Sequence, residues 1–117
     1  MRTILSAIFL LGMAQPATSG AVTDFLKRHD EPLGQSRAET EIMGLQAGFT
    51  EANAYLTGTR KETPMFCQPE NLSLTADQLI DMLRRSVNEQ PELDQSDLAS
   101  ALLAVLQRTF PCQQNPR

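Results

Sequence analysis

Thr75-Ala76-Asp77-Gln78-Leu79-Ile80-Asp81-Met82-Leu83-Arg84-Arg85-Ser86-Val87-Asn88 opens with a Thr-x-x-Gln pair. A Thr hydroxyl and a Gln side chain three residues on satisfy the free N–H groups at a helix start. Leu79, Ile80, Leu83 and Val87 then recur on one helical face, with Ala76 and Met82 at its margins. Arg84 and Arg85 read as last-turn cations that complement the helix dipole. After a turn over Asn88 to Asp94 that contains Pro91, a second helix is expected from Ser96 to Thr109. Asp94 or Ser96 should cap it, with Asp97 in its first turn. Leu98, Ala101, Leu102, Val105 and Leu106 form its apolar face, widened by Ala99 and Leu103, and Pro111 ends it. Each helix is roughly 20 Å long, and the short connection favours antiparallel packing. The start of the first helix and the end of the second then meet. Cys67 and Cys112 flank that meeting point.

Whether the two thiols bond depends on where the chain resides. At the N-terminus, Arg2 precedes an apolar run from Ile4 to Met13, and Pro16 with the small residues Ala17 to Ala21 follows. That order is the layout of a cleaved secretory signal over residues 1–20. The run, about 10 residues, is too short for a membrane span, which needs roughly 20. Removal leaves roughly 97 residues, a single domain over 21–117. An exported chain meets an oxidising compartment, so a structural disulfide between Cys67 and Cys112 is the expected state. It closes a long loop and is worth about 4 kcal/mol in the chain-entropy treatment. Two other uses of the cysteines fit less well. A structural zinc site wants four ligands and His29 is the chain's one histidine; a nucleophilic thiol needs a base, and again only His29 is available.

Upstream of the hairpin, Val22, Phe25 and Leu26 make a short apolar patch, which Thr23 could cap as a helix running to Asp30, with Pro32 and Gly34 ending it. Ser36 and Glu39 form a second capping pair, Ser-x-x-Glu. Ala38, Ile42, Leu45, Phe49, Ala52 and Leu56 follow at steps of three and four, and Gly58 reads as a helix stop. Gly44, Gly48 and Ala52 repeat every four residues beside that face, a spacing that suits close approach of another helix or a homodimer contact. Residues 59–73, with Pro64, Pro69 and Asn71, read as irregular. No segment reads as a strand. The fold class is therefore all-α: a small four-helix domain whose C-terminal antiparallel hairpin is closed by one disulfide.

Three short elements, in order, carry a resemblance. Phe66-Cys67-Gln68-Pro69 precedes the Thr-capped helix, Gln90-Pro91-Glu92 lies in the turn, and Phe110-Pro111-Cys112 closes the second helix. This series resembles the Rap and Tai group of small periplasmic immunity proteins of Gram-negative bacteria, and Tyr55 to Gly58 fits that group's Tyr-x-x-Gly helix end. The likeness runs from about Phe49 to Cys112. Gln90 stands where histidine is common. Many relatives carry a further cysteine pair linking the N-terminal segment to the helix before Tyr55; here the N-terminal segment has no cysteine, and Ala52 and Asn53 stand near the helical position. The resemblance implies a protein without activity of its own that binds and occludes a peptidoglycan-cleaving amidase delivered by a type VI secretion system, often as a homodimer.

The residues alone offer little chemistry. The formal net charge is −4, and it becomes more negative once Arg2 leaves. That argues against nucleic acid and against an anionic membrane surface. No phosphate-cradling glycine loop or zinc-protease motif is present, and neither a cofactor nor a metal is expected. His29-Asp30-Glu31 reads as a solvated helix end, and Glu39, Glu41 and Glu51 as a solvated helix face. Exposed loops are the expected contact elements: Asn88 to Asp94, with Gln90, Glu92 and Asp94, and Thr59 to Thr63, with Arg60. A second functional reading is an acid-stress periplasmic chaperone like HdeA, also small, helical and held by one disulfide. It would be activated when carboxylates that the fold needs ionised become protonated.

Overall fold

Thr75 caps its helix as its spacing predicts. In the computed structural model, which describes residues 20–113, its hydroxyl accepts from the Gln78 amide while the Gln78 side chain accepts from the Thr75 amide. The expected signal over residues 1–20 falls, Gly20 apart, outside the described residues, as does most of the tail after Cys112. Four α-helices follow in chain order: α1 (Ala21–Asp30), α2 (Gln35–Gly58), α3 (Ala76–Glu89) and α4 (Leu98–Thr109). A 3₁₀ turn, Pro91–Gln95, joins α3 to α4. There is no strand among the described residues. None of the helices is long and apolar enough to cross a membrane.

The hairpin of α3 and α4 supplies most of the core: Leu79, Ile80, Leu83, Leu98, Ala101, Leu102, Val105 and Leu106. Val22, Phe25 and Leu26 of α1 pack into it, as do Ala38 and Ile42 of α2 and Phe66 of the irregular segment. Cys67 and Cys112 are disulfide-bonded, their Cα atoms 4.9 Å apart. The Cys67 amide also donates to the Phe110 carbonyl at 2.8 Å, so covalent and backbone links coincide at this end.

Four local expectations are not met, two because a neighbouring residue caps the helix first and two because the side chains reach across the fold. Gly34, not Ser36, is the cap residue of α2. The turn from Glu31 leads straight into the helix, and the Gly34 carbonyl accepts from the Ala38 amide. Ser36 therefore lies inside the first turn, too late to cap, and its carbonyl accepts from the Thr40 hydroxyl. A side chain at Gly34 would run into the Arg28 carbonyl, so the tight turn needs glycine.

Thr23 does not cap α1 either, because the helix starts before it at Ala21. The Thr23 amide and hydroxyl instead donate to the Asp94 carboxylate at 2.8 and 2.6 Å. Asp94 thus acts at the start of α1, where a negative charge meets free N–H groups and the positive end of the helix dipole. The cap of α4 is Asp97, which accepts from the Ser100 amide and hydroxyl. The 3₁₀ turn takes up the residues on which an earlier start of α4 would depend.

Arg84 and Arg85 lie one turn short of the end of α3, which runs on to Glu89. Arg84 reaches across to Asp30 of α1 at 2.9 Å, and Arg28 of α1 pairs with Glu41 of α2 at 3.0 Å. Gly58 closes α2 without adopting positive φ; the left-handed residue is Lys61, at φ 55°. The first half of α2 buries Ala38, Ile42 and Gln46, whereas Ala52 and Leu56 are half-buried. Among the described residues nothing approaches Gly44 or Gly48 within contact distance of an added Cβ, so none of them makes the close packing that the spacing suggests.

Two outcomes follow. Reducing the disulfide, or the Cys67→Ser, Cys112→Ser double variant, should lower stability by about 4 kcal/mol. In a thermal melt followed by circular dichroism that is a fall of roughly 15–30 °C. Asp94 gives a pH signature. The Thr23 hydroxyl, then the amides of Thr23, Gly20 and Val22, hold its carboxyl below the usual range, against an opposing effect of burial. Its contribution is therefore fully present above the unfolded value of about 3.9 and is lost as pH falls through the depressed folded value. Urea unfolding of wild type and Asp94→Ala should show a stability gap at neutral pH that closes in acid; a gap constant down to pH ~2 contradicts this assignment.

Candidate functional site

The second half of α2 extends past the core and leaves one flank facing the irregular segment 64–74. Between them lies an open groove of about 750 Å³. Met43, Ala47, Thr50, Ala54 and Thr57 of α2 form one wall. Pro64, Phe66, Pro69, Leu72 and Leu74 contribute to the other. Small residues on α2 keep this wall low, and the prolines keep the opposing segment from coiling into helix.

Amide side chains hold the groove in shape. Asn53 sits on α2 with its Nδ2 donating to the Phe66 carbonyl at 3.0 Å and its Oδ1 accepting from the Met65 amide at 2.8 Å. Gln68 Nε2 donates to the Leu72 carbonyl, and Gln68 Oε1 accepts from Gln46 Nε2 at 3.3 Å. These bonds replace secondary structure for a segment that has almost none. The disulfide anchors the same segment at Cys67, and Gln107 of α4 donates to the Met65 carbonyl.

Gln46 stands out within this set. It is the one buried polar residue among the described residues, 7% exposed, and its Oε1 has no hydrogen-bond partner. A buried acceptor left without a donor is costly, and native proteins rarely tolerate it without cause. Gln46 lines the groove, but its Oε1 is buried beneath the surface rather than presented to it. Met43, 40% exposed, in the first half of α2 and Tyr55, 54% exposed, in the second add apolar surface to the helix.

Across the described residues 24–112 a family model of Rap1a immunity proteins matches. The chain belongs to the Rap1a immunity protein family. No curated protein and no solved structure matches it significantly. The matched span runs from the first turn of α1 to Cys112 and so contains the groove, the hairpin and the disulfide. Membership of the Rap1a family carries with it a type VI immunity role and a secreted protein as binding partner.

The residues that the sequence singles out for contact are not brought together. Gln90, Glu92 and Asp94 belong to the turn between α3 and α4, and Arg60 to the segment leading toward the disulfide at the other end of that hairpin. Arg60 is exposed and chelates Glu62 with two nitrogens, at 3.1 and 2.9 Å. Glu92 is exposed and Gln90 half-buried. Asp94 is committed to Thr23.

Nothing in the sequence marks Gln46, Asn53 and Gln68 as a set: Gln68 falls in the Phe66-Cys67-Gln68-Pro69 element, and Gln46 and Asn53 read as polar residues on a helix. His29 differs from its expected solvated state. Its ring is largely buried and faced by Asp30, Glu39 and Asp77, so Glu39 does not lie on a purely solvated face. Both cysteines are consumed in the disulfide, so neither is a free thiol.

Replacing Asn53 by Ala should cost about 1–3 kcal/mol, because the Met65 amide and Phe66 carbonyl both lose their partner. Denaturant unfolding measures the loss, and amide exchange at Met65 should accelerate. Unchanged exchange there would show that the segment does not depend on Asn53.

Proposed function

We propose that this chain is a periplasmic immunity protein of a Gram-negative bacterium that binds a peptidoglycan amidase delivered by type VI secretion and occludes its active site. Membership of the Rap1a family is the observation that carries the reading. The disulfide supports a periplasmic location, where an oxidised cysteine pair persists. Inhibition by occlusion asks for a rigid, shaped surface rather than reactive groups. A groove held by a disulfide and a set of amide hydrogen bonds is suited to that task. The protein needs no cofactor and catalyses nothing.

The contact surface is the groove between α2 and residues 64–74. Gln46 lines it, and Arg60 lies in sequence between the lining residues Thr57 and Pro64. Gln90 and Glu92, on the far turn, form a second contact element. Asp94 contributes indirectly by fastening that turn to α1.

A specific observation favours a second reading, the acid-stress chaperone. Asp30, Asp94 and Asp97 all have carboxyls held below their ordinary values. The first cause is in each case a hydrogen bond: from Arg84 to Asp30, from the Thr23 hydroxyl to Asp94 and from the Ser100 amide to Asp97. These carboxylates join α1 to α3, α1 to the 3₁₀ turn, and cap α4. Protonation in acid would loosen all three links.

Affinity capture separates the two. Oxidised protein is used as bait against periplasmic and secreted proteins at neutral pH and near pH 3. The immunity reading expects one cell-wall amidase, stoichiometric and at neutral pH. Ala47→Trp and Ala54→Trp, which fill the groove from exposed positions, should weaken its binding at least a hundredfold while leaving the melting temperature unchanged. Capture of many unrelated proteins only in acid would instead establish the chaperone. Amidase binding that both tryptophan variants retain in full would remove the groove from the interface.

A further inference from the structure

The junction of α1, α2 and α3 holds a second cluster, away from the groove. His29 comes from the last turn of α1, Glu39 from α2 and Asp77 from the first turn of α3. His29 Nε2 lies 3.7 Å from Glu39 Oε1 and 4.0 Å from Asp77 Oδ1. One ligand atom from each residue falls within 4.8 Å of the other two. Both ring nitrogens of His29 are buried, and neither has a hydrogen-bond partner. A buried ring nitrogen in this state forfeits the bonds it makes in water. Among the described residues, neither Glu39 nor Asp77 has a Lys or Arg within ion-pair distance; their one cationic contact is the histidine, if protonated. Glu39 Oε1 accepts only a weak bond of 3.3 Å from Gln35.

The other side of the imidazole carries an independent feature. Nδ1 faces Asp30 Oδ1 at 3.5 Å, and Asp30 is fixed by Arg84 at 2.9 Å. A metal-binding histidine characteristically offers its second nitrogen to a carboxylate, which sets the tautomer and the ring orientation. A helix-end histidine held only by packing has no need of a pinned carboxylate behind it and two carboxylates without a Lys or Arg partner in front.

We propose that His29 Nε2, Glu39 and Asp77 form a binding site for a divalent transition-metal ion of the zinc type, with Asp30 as the positioning carboxylate behind the imidazole. One nitrogen and two carboxylate oxygens match the ligand preference of zinc. Calcium and magnesium instead want six or more oxygen ligands in most sites. Around a tetrahedral zinc ion, ligand atoms are about 3.4 Å apart. The observed 3.7 and 4.0 Å must close by about 0.3 and 0.6 Å, and the two carboxylates, within 4.8 Å of each other, must draw together as well. Asp77 is 78% exposed at a helix start and can supply that movement at little packing cost. The ion would tie together three helices that no covalent link joins, and its fourth position would remain open to water.

The test uses tag-free oxidised protein stripped with a chelator and then titrated calorimetrically with zinc chloride. A parallel titration with cobalt(II) is followed by visible absorption. The expected result is one zinc per chain, a four-coordinate cobalt spectrum, and a melting temperature raised by zinc. His29→Gln should abolish binding, and Glu39→Gln and Asp77→Asn should each weaken it at least tenfold. Asp30→Asn should keep the stoichiometry and weaken affinity ten- to a hundredfold. Asp77 is exposed, so its variant remains informative even if His29→Gln fails to fold. Absence of one-to-one zinc binding, or affinity unchanged in both Glu39→Gln and Asp77→Asn, would overturn the proposal. Tighter binding of calcium than of zinc would do so as well.

Discussion

The bond between Cys67 and Cys112 is the constraint on which the rest of the structure depends. It joins the segment before α3 to the residue after α4, 45 positions apart. A domain of this size buries a limited core and has little stability to spare. A cross-link worth about 4 kcal/mol is therefore a large share of the total. Its second effect is local. Residues 59–75 contain no helix or strand to fix their backbone, yet they form one wall of the groove. The disulfide pins this segment at Cys67, and Asn53, Gln68 and Gln107 pin it on either side. A surface without regular structure thereby gains the rigidity that recognition by occlusion requires.

A second set of contacts holds α1 in place. The helix has only ten residues and would not persist alone in water. Three apolar side chains bury it against the core. Asp94 satisfies its free N-terminal groups, and Asp30 ties its last turn to α3 through Arg84. The two aspartates work at opposite ends of the helix. Protonation of these two carboxylates would weaken both links, so they contribute less to the fold in acid than at neutral pH.

The hairpin was legible in the sequence because its signals are local: a Thr-x-x-Gln box, an apolar face of period 3.6, and prolines at the turn and the end. The cysteines could be paired from that topology together with the export layout of residues 1–20, which implies an oxidising compartment. Asp94 could not be placed, because its partner Thr23 lies 71 positions away and the same residue type caps a helix wherever it meets one. Ser36 and Glu39 match a capping pattern that the chain does not use, since the turn at Gly34 starts the helix first. The groove had no sequence signature. Gln46 and Asn53 look like ordinary polar residues on a helix until the irregular segment folds back over them. His29 was likewise legible only as a histidine near a helix end; Asp77, one of the carboxylates that faces it, sits 48 positions away on another helix.

Whether an amidase seats in the groove between α2 and residues 64–74 can be read with a photo-cross-linking amino acid at position 47, on the α2 wall. Irradiation of the complex with the captured amidase should yield one dominant adduct, mapping to the rim of the amidase's active-site cleft. An adduct only with a second copy of this chain, or with an amidase surface remote from its active site, would contradict occlusion through the groove.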